Sequence, residues 1–230
     1  MSKFKKSNII ILVQKKVNIL VEKFCDFILN KMKKKMPEIT DEQGEIILYG
    51  LELIIGEIPK MFILFVLGFI FGLGWYILFA FFTILPYRAM SGGFHLHTHI
   101  GCIVTTNVFY FGTVLISKYL YLDNIEKYIL VFLSFVFGAL MVTWYAPADT
   151  ENVPIISKKE RKKKKILSYI TLSVMLIASL FIQDRILSNI LIVGSIIQTM
   201  MITRLAYKIT RNKYGHEVYA QELKEKQAEN

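Results

Sequence analysis

Residues 61–87, MFILFVLGFIFGLGWYILFAFFTILPY, contain no Asp, Glu, Lys or Arg, and their arrangement decides the fold of the whole chain. The run exceeds the roughly 20 residues that cross the hydrocarbon layer as a single helix, and Gly72 and Gly74 lie near its middle. It is therefore either one long tilted helix or a hairpin of two helices. The choice determines which side of a membrane each later segment faces.

Four further runs in the 230-residue chain also lack charged side chains. The chain is 54% apolar, whereas soluble domains are about 45–50% apolar. Each of the four runs has the length that a membrane-spanning helix needs, about 17–25 residues. We therefore exclude an ordinary water-soluble domain and predict an all-α, polytopic helical membrane protein. The four runs are residues 100–117, 128–148, 166–183 and 186–203.

Basic residues select the hairpin, because Lys and Arg accumulate on the cytoplasmic side of membrane proteins. A hairpin collects all 28 Lys and Arg residues on one side except Lys118, Lys127 and Arg185, whereas a single first span divides them evenly. The first helix of the hairpin must then begin within Ile46–Ile58, which draws two glutamates toward the membrane. The sequence predicts about six transmembrane helices in the cell membrane, with both termini and the segment after the hairpin in the cytoplasm.

The N-terminal part is predicted to lie along the membrane surface. Residues 8–32 interleave charged and apolar side chains at helical spacing, which is typical of an interfacial amphipathic helix. Pro37 ends that helix, and Thr40 with Gln43 forms a capping box that opens a second helix to about Ile55. Lysines of the first helix are expected to contact anionic lipid headgroups.

The chain divides into three predicted parts. Residues 1–58 form the amphipathic N-terminal helices, and residues 59–206 form the transmembrane domain. Within that domain lie a Gly- and His-rich segment at 88–102, the candidate catalytic segment, and a cytoplasmic loop at 146–165. Residues 207–230 form a polar tail that is predicted to be mobile.

A thiol and two imidazoles are the candidate reactive groups. If the chain is helical from His95, each residue turns by about 100°, so that His95, His99 and Cys102 share one face and His97 points away. A thiol beside an imidazole can attack a carbonyl, because the imidazole accepts the thiol proton and returns one to the leaving amine. The alternative is a buried membrane-helix Cys102 with interfacial histidines. The other cysteine, Cys25, is interpreted as a packing residue on the amphipathic helix.

Two other functions fit parts of the pattern. His95, His99 and Cys102 could bind a metal in a membrane hydrolase, with His97 or Asp149 as the fourth ligand. A small carrier is the other alternative, although the apolar runs lack the charged residues that a route for ions or polar solutes usually needs. We find no phosphate-binding Gly-rich motif, and we predict no metal, no cofactor and no nucleic-acid partner.

Two separated motifs resemble those of the AgrB family. The first is Arg88-x3-Gly92-Gly93-x-His95-x6-Cys102, and the second is Tyr145-Ala146-Pro147-Ala148-Asp149-Thr150 followed by Pro154-Ile155. AgrB proteins, the accessory gene regulator B proteins, are membrane endopeptidases that process quorum-sensing propeptides. The resemblance extends from roughly Gly50 to the end of the basic loop, and two motifs in the right order are more specific than either alone.

The resemblance implies a catalytic pair and a substrate. Cys102 would be the nucleophile and His95 its general base and acid. The substrate would be a propeptide of the AgrD type, with an amphipathic leader, a central cysteine-containing segment and an acidic C-terminal tail. Cleavage would leave the rest of the peptide on Cys102 as a thioester, which the peptide's own cysteine or serine would capture as a thiolactone or lactone ring. The resemblance also implies a homodimer.

Several residues have supporting roles as hypotheses. Main-chain N–H groups around Gly92 and Gly93 could stabilise an oxyanion. Arg88 could pair with a propeptide carboxylate, or it could anchor the chain at lipid headgroups. Glu52 and Asp149 could orient His95, or each could make a structural polar contact.

The basic run before the fifth span has two interpretations. Its charges could attract the acidic tail of a propeptide by long-range steering. They could instead only set the membrane topology by the positive-inside rule, which we favour. The residues are Lys158, Lys159 and Arg161–Lys165.

Overall fold

Helices form the regular structure of the part of the chain that the computed structural model describes, which is residues 23–36, 38–96, 98–151 and 154–228. Within these ranges there is no strand, and two extended segments meet only at an isolated bridge between Gly92 and Ala148. The all-α prediction is therefore confirmed for these residues. Most of the predicted interfacial helix at 8–32 lies outside them.

Nine helices lie within the described ranges, of which the first is described from residue 23 onward. They are α1 (residues 23–35), α2 (Asp41–Ile70), α3 (Gly74–Ser91), α4 (His99–Tyr119), α5 (Asn124–Tyr145), α6 (Lys158–Phe181), α7 (Arg185–Met201), α8 (Arg204–Ile209) and α9 (Gly215–Ala228).

The chain forms two compact units, Met1–Val66 and Leu67–Asn230. In the first unit the predicted capping box is confirmed: Thr40 N–H donates to Gln43 Oε1 at 3.1 Å, and Gln43 N–H donates to Thr40 Oγ1 at 3.2 Å. The helix that this box opens continues to Ile70 rather than ending near Ile55. The helix continues through Gly56 and Pro59, which lie inside it.

Cys25 lies in the described part of the first unit, on α1. Its side chain is fully buried, as expected of a packing residue. The neighbouring turn between α1 and α2 is closed by an ion pair between Lys33 Nζ and Asp41 Oδ1 at 2.8 Å.

The break that a hairpin requires is present near the middle of the 61–87 run. Between Ile70 and Gly74 the chain leaves the helix, and Gly72 has φ of +69°. L-residues rarely adopt that conformation, which is accessible to glycine because it lacks a Cβ. The turn is closed by a hydrogen bond from Leu73 N–H to Gly68 O at 2.8 Å. The run therefore does not form one continuous helix.

Three described helices are long and apolar enough to cross a membrane, fewer than the six predicted. They are Ile100–Tyr119, Asn124–Tyr145 and Lys158–Phe181. Helix α7 is apolar but has only 17 residues, which rise about 26 Å against a hydrocarbon thickness of about 30 Å. Helix α3 ends in a polar turn that contains Arg88. The count of six remains a prediction.

Helix α7 is the centre of the second unit. It packs against α3, α4, α5 and α6, and every residue from Ser188 to Ser195 is buried. Several buried hydroxyls on these helices donate to carbonyls of their own helix, as Ser195 Oγ does to Ile192 O at 2.7 Å, whereas Ser188 Oγ of α7 donates to Ser179 O of α6 at 2.7 Å. Large apolar side chains instead cover the outside, including Phe132 and Phe181. An exposed apolar surface of this kind is typical of helices that face lipid.

The helices α3 to α7 alternate in direction, so that their connections meet at two ends. At one end, Arg185 of α7 donates to Leu120 O at 2.7 Å and its guanidinium lies 3.9 Å from the Tyr121 ring centroid. The opposite end, which we call the site end, gathers residues 92–96, 98, 146–151, 154–157 and 202–214. These are segments that the charge distribution predicts on one side of the membrane.

The predicted cytoplasmic loop and the predicted polar tail are both partly helical. Lys158–Lys165 forms the first two turns of α6, which Ser157 caps by accepting from Glu160 N–H, so that the loop predicted at 146–165 ends at Ser157. Helices α8 and α9 occupy most of the predicted polar tail. Sequence polarity did not reveal these helices because their ordering depends on contacts with distant residues.

Candidate functional site

Cys102 and His95 lie together at the site end. The Sγ atom of Cys102 is 4.0 Å from Nδ1 of His95 and 3.9 Å from Leu96 O. Cys102 is half-buried, and His95 is exposed. The distance is at the outer limit for a hydrogen bond to sulfur, and catalytic contacts are often long before substrate binds. The structure therefore places the two side chains of the predicted pair next to each other, at the outer limit of hydrogen-bond distance.

The position of Cys102 follows from the N-terminus of α4. Thr98 is the N-cap, and its Oγ1 accepts from Gly101 N–H at 3.1 Å while its carbonyl accepts from Cys102 N–H at 2.9 Å. Gly101 suits this turn, because a Cβ there would lie 2.6 Å from Thr98 Oγ1. Cys102 thus belongs to the first turn of α4, where the partial positive charge of the helix dipole stabilises a negative charge.

The helical geometry that we used to group the histidines is wrong. Helix α4 begins at His99, and residues 92–96 are not helical. His95 reaches Cys102 because the chain turns back over the helix N-terminus, and not because the two residues share a helical face. His97 and the side chain of His99 lie outside the described part of the structure.

The metal alternative receives no support from the described side chains, among which no group of three or more His, Cys, Asp and Glu residues could hold a metal ion. The predicted ligands His97 and His99 are outside that set. Asp149, the other possible fourth ligand, is bound to different partners, which are described below.

The two glycines before His95 join α3 to the loop after α5. Gly93 N–H donates to Ala148 O at 3.0 Å, and Ala148 N–H donates to Ser91 O at 2.8 Å. Gly92 has φ of +78°, and a Cβ there would overlap Ala148 O. Glycine is therefore required at this crossing. Both amides already have acceptors, since Gly92 N–H donates to Arg88 O at 2.9 Å, and an oxyanion role would require one of these bonds to open.

Arg88 is half-buried and is directed into the protein. Its Nη1 donates to Gln198 Oε1 at 3.2 Å and to Met201 Sδ at 3.1 Å, and its Nη2 donates to Phe94 O at 3.4 Å. These contacts tie α3 to α7 and to the residue before His95. Pairing of Arg88 with a propeptide carboxylate stays a prediction.

Asp149 binds partners other than His95. Its carboxylate, which is fully buried, accepts from Ile155 N–H at 2.9 Å, Arg161 Nη1 at 3.2 Å and His216 N–H at 3.0 Å. The second oxygen lies 2.7 Å from His216 Nδ1. We call Asp149, Arg161 and His216 the Asp149 cluster. The contacts match the structural alternative for Asp149. The side chain of Glu52, the other candidate, is outside the described part.

The basic residues at the start of α6 divide into two groups. Arg161 is half-buried and also donates to Pro147 O at 3.4 Å, whereas Lys158, Lys159, Lys162 and Lys163 are exposed. Lys165 donates to Thr143 O at 2.6 Å, near the C-terminus of α5. Only the exposed lysines are therefore well placed to attract a distant anion.

Two tyrosines hold the C-terminal segment against the loop after α5. The Tyr207 hydroxyl donates to Ala148 O at 3.0 Å and Asp149 O at 3.1 Å, and its ring stacks on Tyr214 with centroids 4.2 Å apart. Burial raises the pKa of Tyr207 and also that of Tyr214, so that both hydroxyls remain protonated donors near neutral pH. The Tyr214 hydroxyl donates to Ile202 O at 2.8 Å.

Sequence reasoning missed three residues that shape the site: Gln198, Tyr207 and His216. A signal existed for Gln198, because an amide within the charge-free run 186–203 must be hydrogen-bonded if it is buried. His216 gave no such signal, since it lies in a polar segment far along the chain from Asp149.

Comparisons with known proteins agree with the motif resemblance. A profile of the accessory gene regulator B family, AgrB, matches residues 25–202. An AgrB-like protein of Listeria innocua is 26% identical over 196 residues, which cover 85% of this chain and 92% of that protein. An AgrB-like protein of Clostridium acetobutylicum is 28% identical over 197 residues, which cover 85% of this chain and 91% of that protein. No solved structure matches the chain.

Proposed function

The chain belongs to the accessory gene regulator B family, and from that premise we propose that it is a membrane cysteine endopeptidase that processes an AgrD-type propeptide. Family membership supports a role in the accessory gene regulator system, and the family is associated with propeptide processing. Three apolar helices of sufficient length indicate a membrane protein. The observation that carries the proposed activity is the 4.0 Å separation between Cys102 Sγ and His95 Nδ1.

The first chemical step uses both members of this pair. His95 accepts the proton of the Cys102 thiol, and the thiolate attacks the carbonyl carbon of the scissile peptide bond. The C–N bond breaks as the proton on His95 passes to the departing amine. The acidic tail leaves with a new N-terminus, and the remaining propeptide stays on Cys102 as a thioester.

The second step closes the ring. A cysteine thiol of the bound peptide attacks the thioester carbonyl, its new S–C bond replaces the bond to Cys102, and the proton returns to the Cys102 sulfur through His95. The product is a thiolactone, and a serine hydroxyl at the same position gives a lactone. Because the first thioester is less stable than the peptide bond it replaces, net turnover requires removal of the tail or of the ring.

The surroundings of Cys102 favour capture by the peptide over hydrolysis. Cys102 is half-buried at the N-terminus of an apolar helix, and a bound peptide leader would cover the exposed face of His95. A closed pocket of low dielectric suppresses attack by water on the thioester.

Orientation and partners belong to the same proposal. We place both termini and residues 88–102 on the cytoplasmic side, because the basic residues of α6 and of the C-terminal segment lie at the site end. Anionic lipid headgroups and a second copy of the chain are the expected partners besides the propeptide. Labelling of Cys102 in intact cells by a membrane-impermeant maleimide would contradict this orientation.

The activity is tested by co-expression with an AgrD-type propeptide. Wild type is expected to release the acidic tail, which mass spectrometry detects, and Cys102→Ala is expected to release none. His95→Ala should lower release by about 10²- to 10⁴-fold, the usual contribution of a general acid and base. Cys25→Ala is the matched control, because Cys25 is the other cysteine and belongs to the other unit. Tail release that survives Cys102→Ala overturns the proposal.

A further inference from the structure

Gln198 of α7 is a buried amide that contacts the segment before His95. The side chain has no solvent exposure. Its Nε2 donates to Gly92 O at 2.8 Å and to Ser91 Oγ at 3.1 Å, and its Oε1 accepts from Arg88 Nη1 at 3.2 Å. An amide buried in a membrane protein is costly unless it is hydrogen-bonded. Here both ends of the amide are satisfied, and all three partners belong to the same stretch of chain.

Arg88 links Gln198 to the residue beside His95. While Nη1 binds Gln198, Nη2 donates to Phe94 O at 3.4 Å. The carbonyls of Gly92 and Phe94 are thus held from one side by two linked side chains. Residues 93–96 belong to no helix, so the course of this backbone depends on such contacts, together with the hydrogen bond from Gly93 N–H to Ala148 O at 3.0 Å.

Cys102 is held by different contacts. Its place depends on the Thr98 cap and the first turn of α4, to which Gln198 makes none of its hydrogen bonds. Loss of the Gln198 amide would therefore release the backbone that carries the imidazole and leave the thiol in place.

We propose that Gln198 is a positioning residue for His95: by binding Arg88 and Gly92 O together, it keeps the imidazole within proton-transfer range of Cys102. The consequence for peptide cleavage rests on the proposed function. The consequence for the Cys102–His95 contact does not, and it can be measured without a propeptide.

The test measures alkylation of Cys102 by iodoacetamide in purified full-length protein, with mass spectrometry separating Cys102 from Cys25. Gln198→Met removes both hydrogen-bonding ends at similar volume. We expect about tenfold slower alkylation near neutral pH, where the thiol depends on the imidazole as base, and an unchanged rate at alkaline pH, where it ionises without help. A purely structural role would change the rate at every pH.

Asn189→Leu is the matched control. Asn189 is also a buried amide of α7, but it donates to Ser117 O at 3.2 Å and Leu120 O at 2.9 Å, at the other end of the bundle. This variant should leave the pH profile of alkylation unchanged. A profile altered as much as that of Gln198→Met would overturn the proposal, because any lost amide in α7 would then suffice.

A double variant tests whether Gln198 acts through His95. His95→Ala alone should slow neutral-pH alkylation, and His95→Ala with Gln198→Met should be no slower, because the group being positioned is already gone. Further loss in the double variant would contradict the proposal. Gln198→Glu keeps an acceptor for Arg88 while losing the donor to Gly92 O, and it should give an intermediate rate. If Gln198→Met does not fold, Gln198→Glu replaces it in the same measurement.

The two proposals can fail separately. If Gln198→Met alters the pH profile but wild type releases no tail from the propeptide, the positioning role stands and the endopeptidase assignment fails. If wild type releases the tail and Gln198→Met has the wild-type alkylation profile, the endopeptidase stands and the positioning role fails. In cleavage assays the positioning role also predicts a lower kcat at unchanged KM.

Discussion

The Cys102–His95 pair and the Asp149 cluster lie at the same end of the helices but are built in opposite ways. In the pair, Cys102 Sγ and His95 Nδ1 are 4.0 Å apart, and the imidazole is exposed. The Asp149 carboxylate is fully buried and binds Ile155, Arg161 and His216 at 2.7–3.2 Å. A reactive pair must admit a substrate between or beside its members, whereas a structural cluster is most stable when it excludes solvent and other molecules.

Ala148 connects the two sites. Its main chain bonds to Ser91 and Gly93 on the side of His95, and the next residue is Asp149. The Asp149 cluster therefore supports the Cys102–His95 pair, because Asp149 fixes the loop against which the His95 segment lies. From this we expect changes in the Asp149 cluster to affect stability first and chemistry second, and changes in the Cys102–His95 pair to do the reverse.

The largest stability effect is expected for Asp149→Asn. This change removes the buried carboxylate that accepts from Arg161 and His216. Because both partners are only half-buried, the cost should be below the value of about 3–5 kcal/mol for breaking a fully buried ion pair. The thermal unfolding midpoint in detergent should fall clearly, whereas Cys102→Ala should leave it near the wild-type value.

Asp184→Asn is the matched control for that measurement. Asp184 is the exposed N-cap of α7 and accepts from Leu187 N–H at 2.9 Å, and Asn caps a helix as well as Asp does. Equal thermal midpoints for the two Asp→Asn variants would show that the Asp149 cluster does not stabilise the fold more than an exposed helix cap does.

A smaller effect is expected at alkaline pH, through Tyr207 and Tyr214. Burial raises the pKa of each above its unfolded value, which is about 10. The folded state therefore binds the proton more tightly. The resulting stabilisation is fully present below the unfolded pKa and is lost as the pH rises beyond it. The thermal midpoint should thus fall at alkaline pH, together with protease resistance of residues 204–228.

Tyr207→Phe separates the hydroxyl from the ring. It removes the bifurcated hydrogen bond that the single hydroxyl proton makes to Ala148 O and Asp149 O, worth about 1 kcal/mol, and so lowers stability near neutral pH. It also removes one ionising group, so the alkaline loss should become smaller. Tyr219→Phe on α9 is the control. An alkaline loss of the same size in Tyr207→Phe and wild type would exclude Tyr207 as its source.

Local signals in the sequence predicted local features. The Thr40–Gln43 box and the break at Gly72 depend on a few neighbouring residues, and each was predictable from turn and cap chemistry. The pairing of Cys102 with His95 came from the motif, because the helical geometry offered for it fails where Thr98 starts α4.

Long-range contacts explain what the sequence could not predict. Asp149 meets His216, 67 positions later, and Gln198 meets Gly92, 106 positions earlier. No periodicity relates such residues, and only the packing of α3 and α5 against α7, with all three helices ending at the site end, brings them together. The number of spans stays a prediction, because charge-free runs do not distinguish a helix buried among other helices, as α7 is, from one that faces lipid.

The smallest predicted effect separates two uses of charge within one turn of α6. Arg161 belongs to the Asp149 cluster, whereas Lys158 and Lys159 are exposed. If the lysines steer an acidic tail, replacing both with Gln should slow cleavage of dilute propeptide about threefold at low salt, with kcat unchanged. The difference should vanish at high salt, because the Debye length falls to about 3 Å at 1 M.

The control for this last measurement is Lys208→Gln with Lys213→Gln, which removes the same charge from other exposed lysines at the site end. An equal loss in both double variants would assign steering to the general positive charge of that end rather than to α6. No loss in either, with normal membrane insertion, would leave Lys158 and Lys159 with the topological role alone. The division within α6 would then be between a residue that stabilises the fold and residues that only orient it in the membrane.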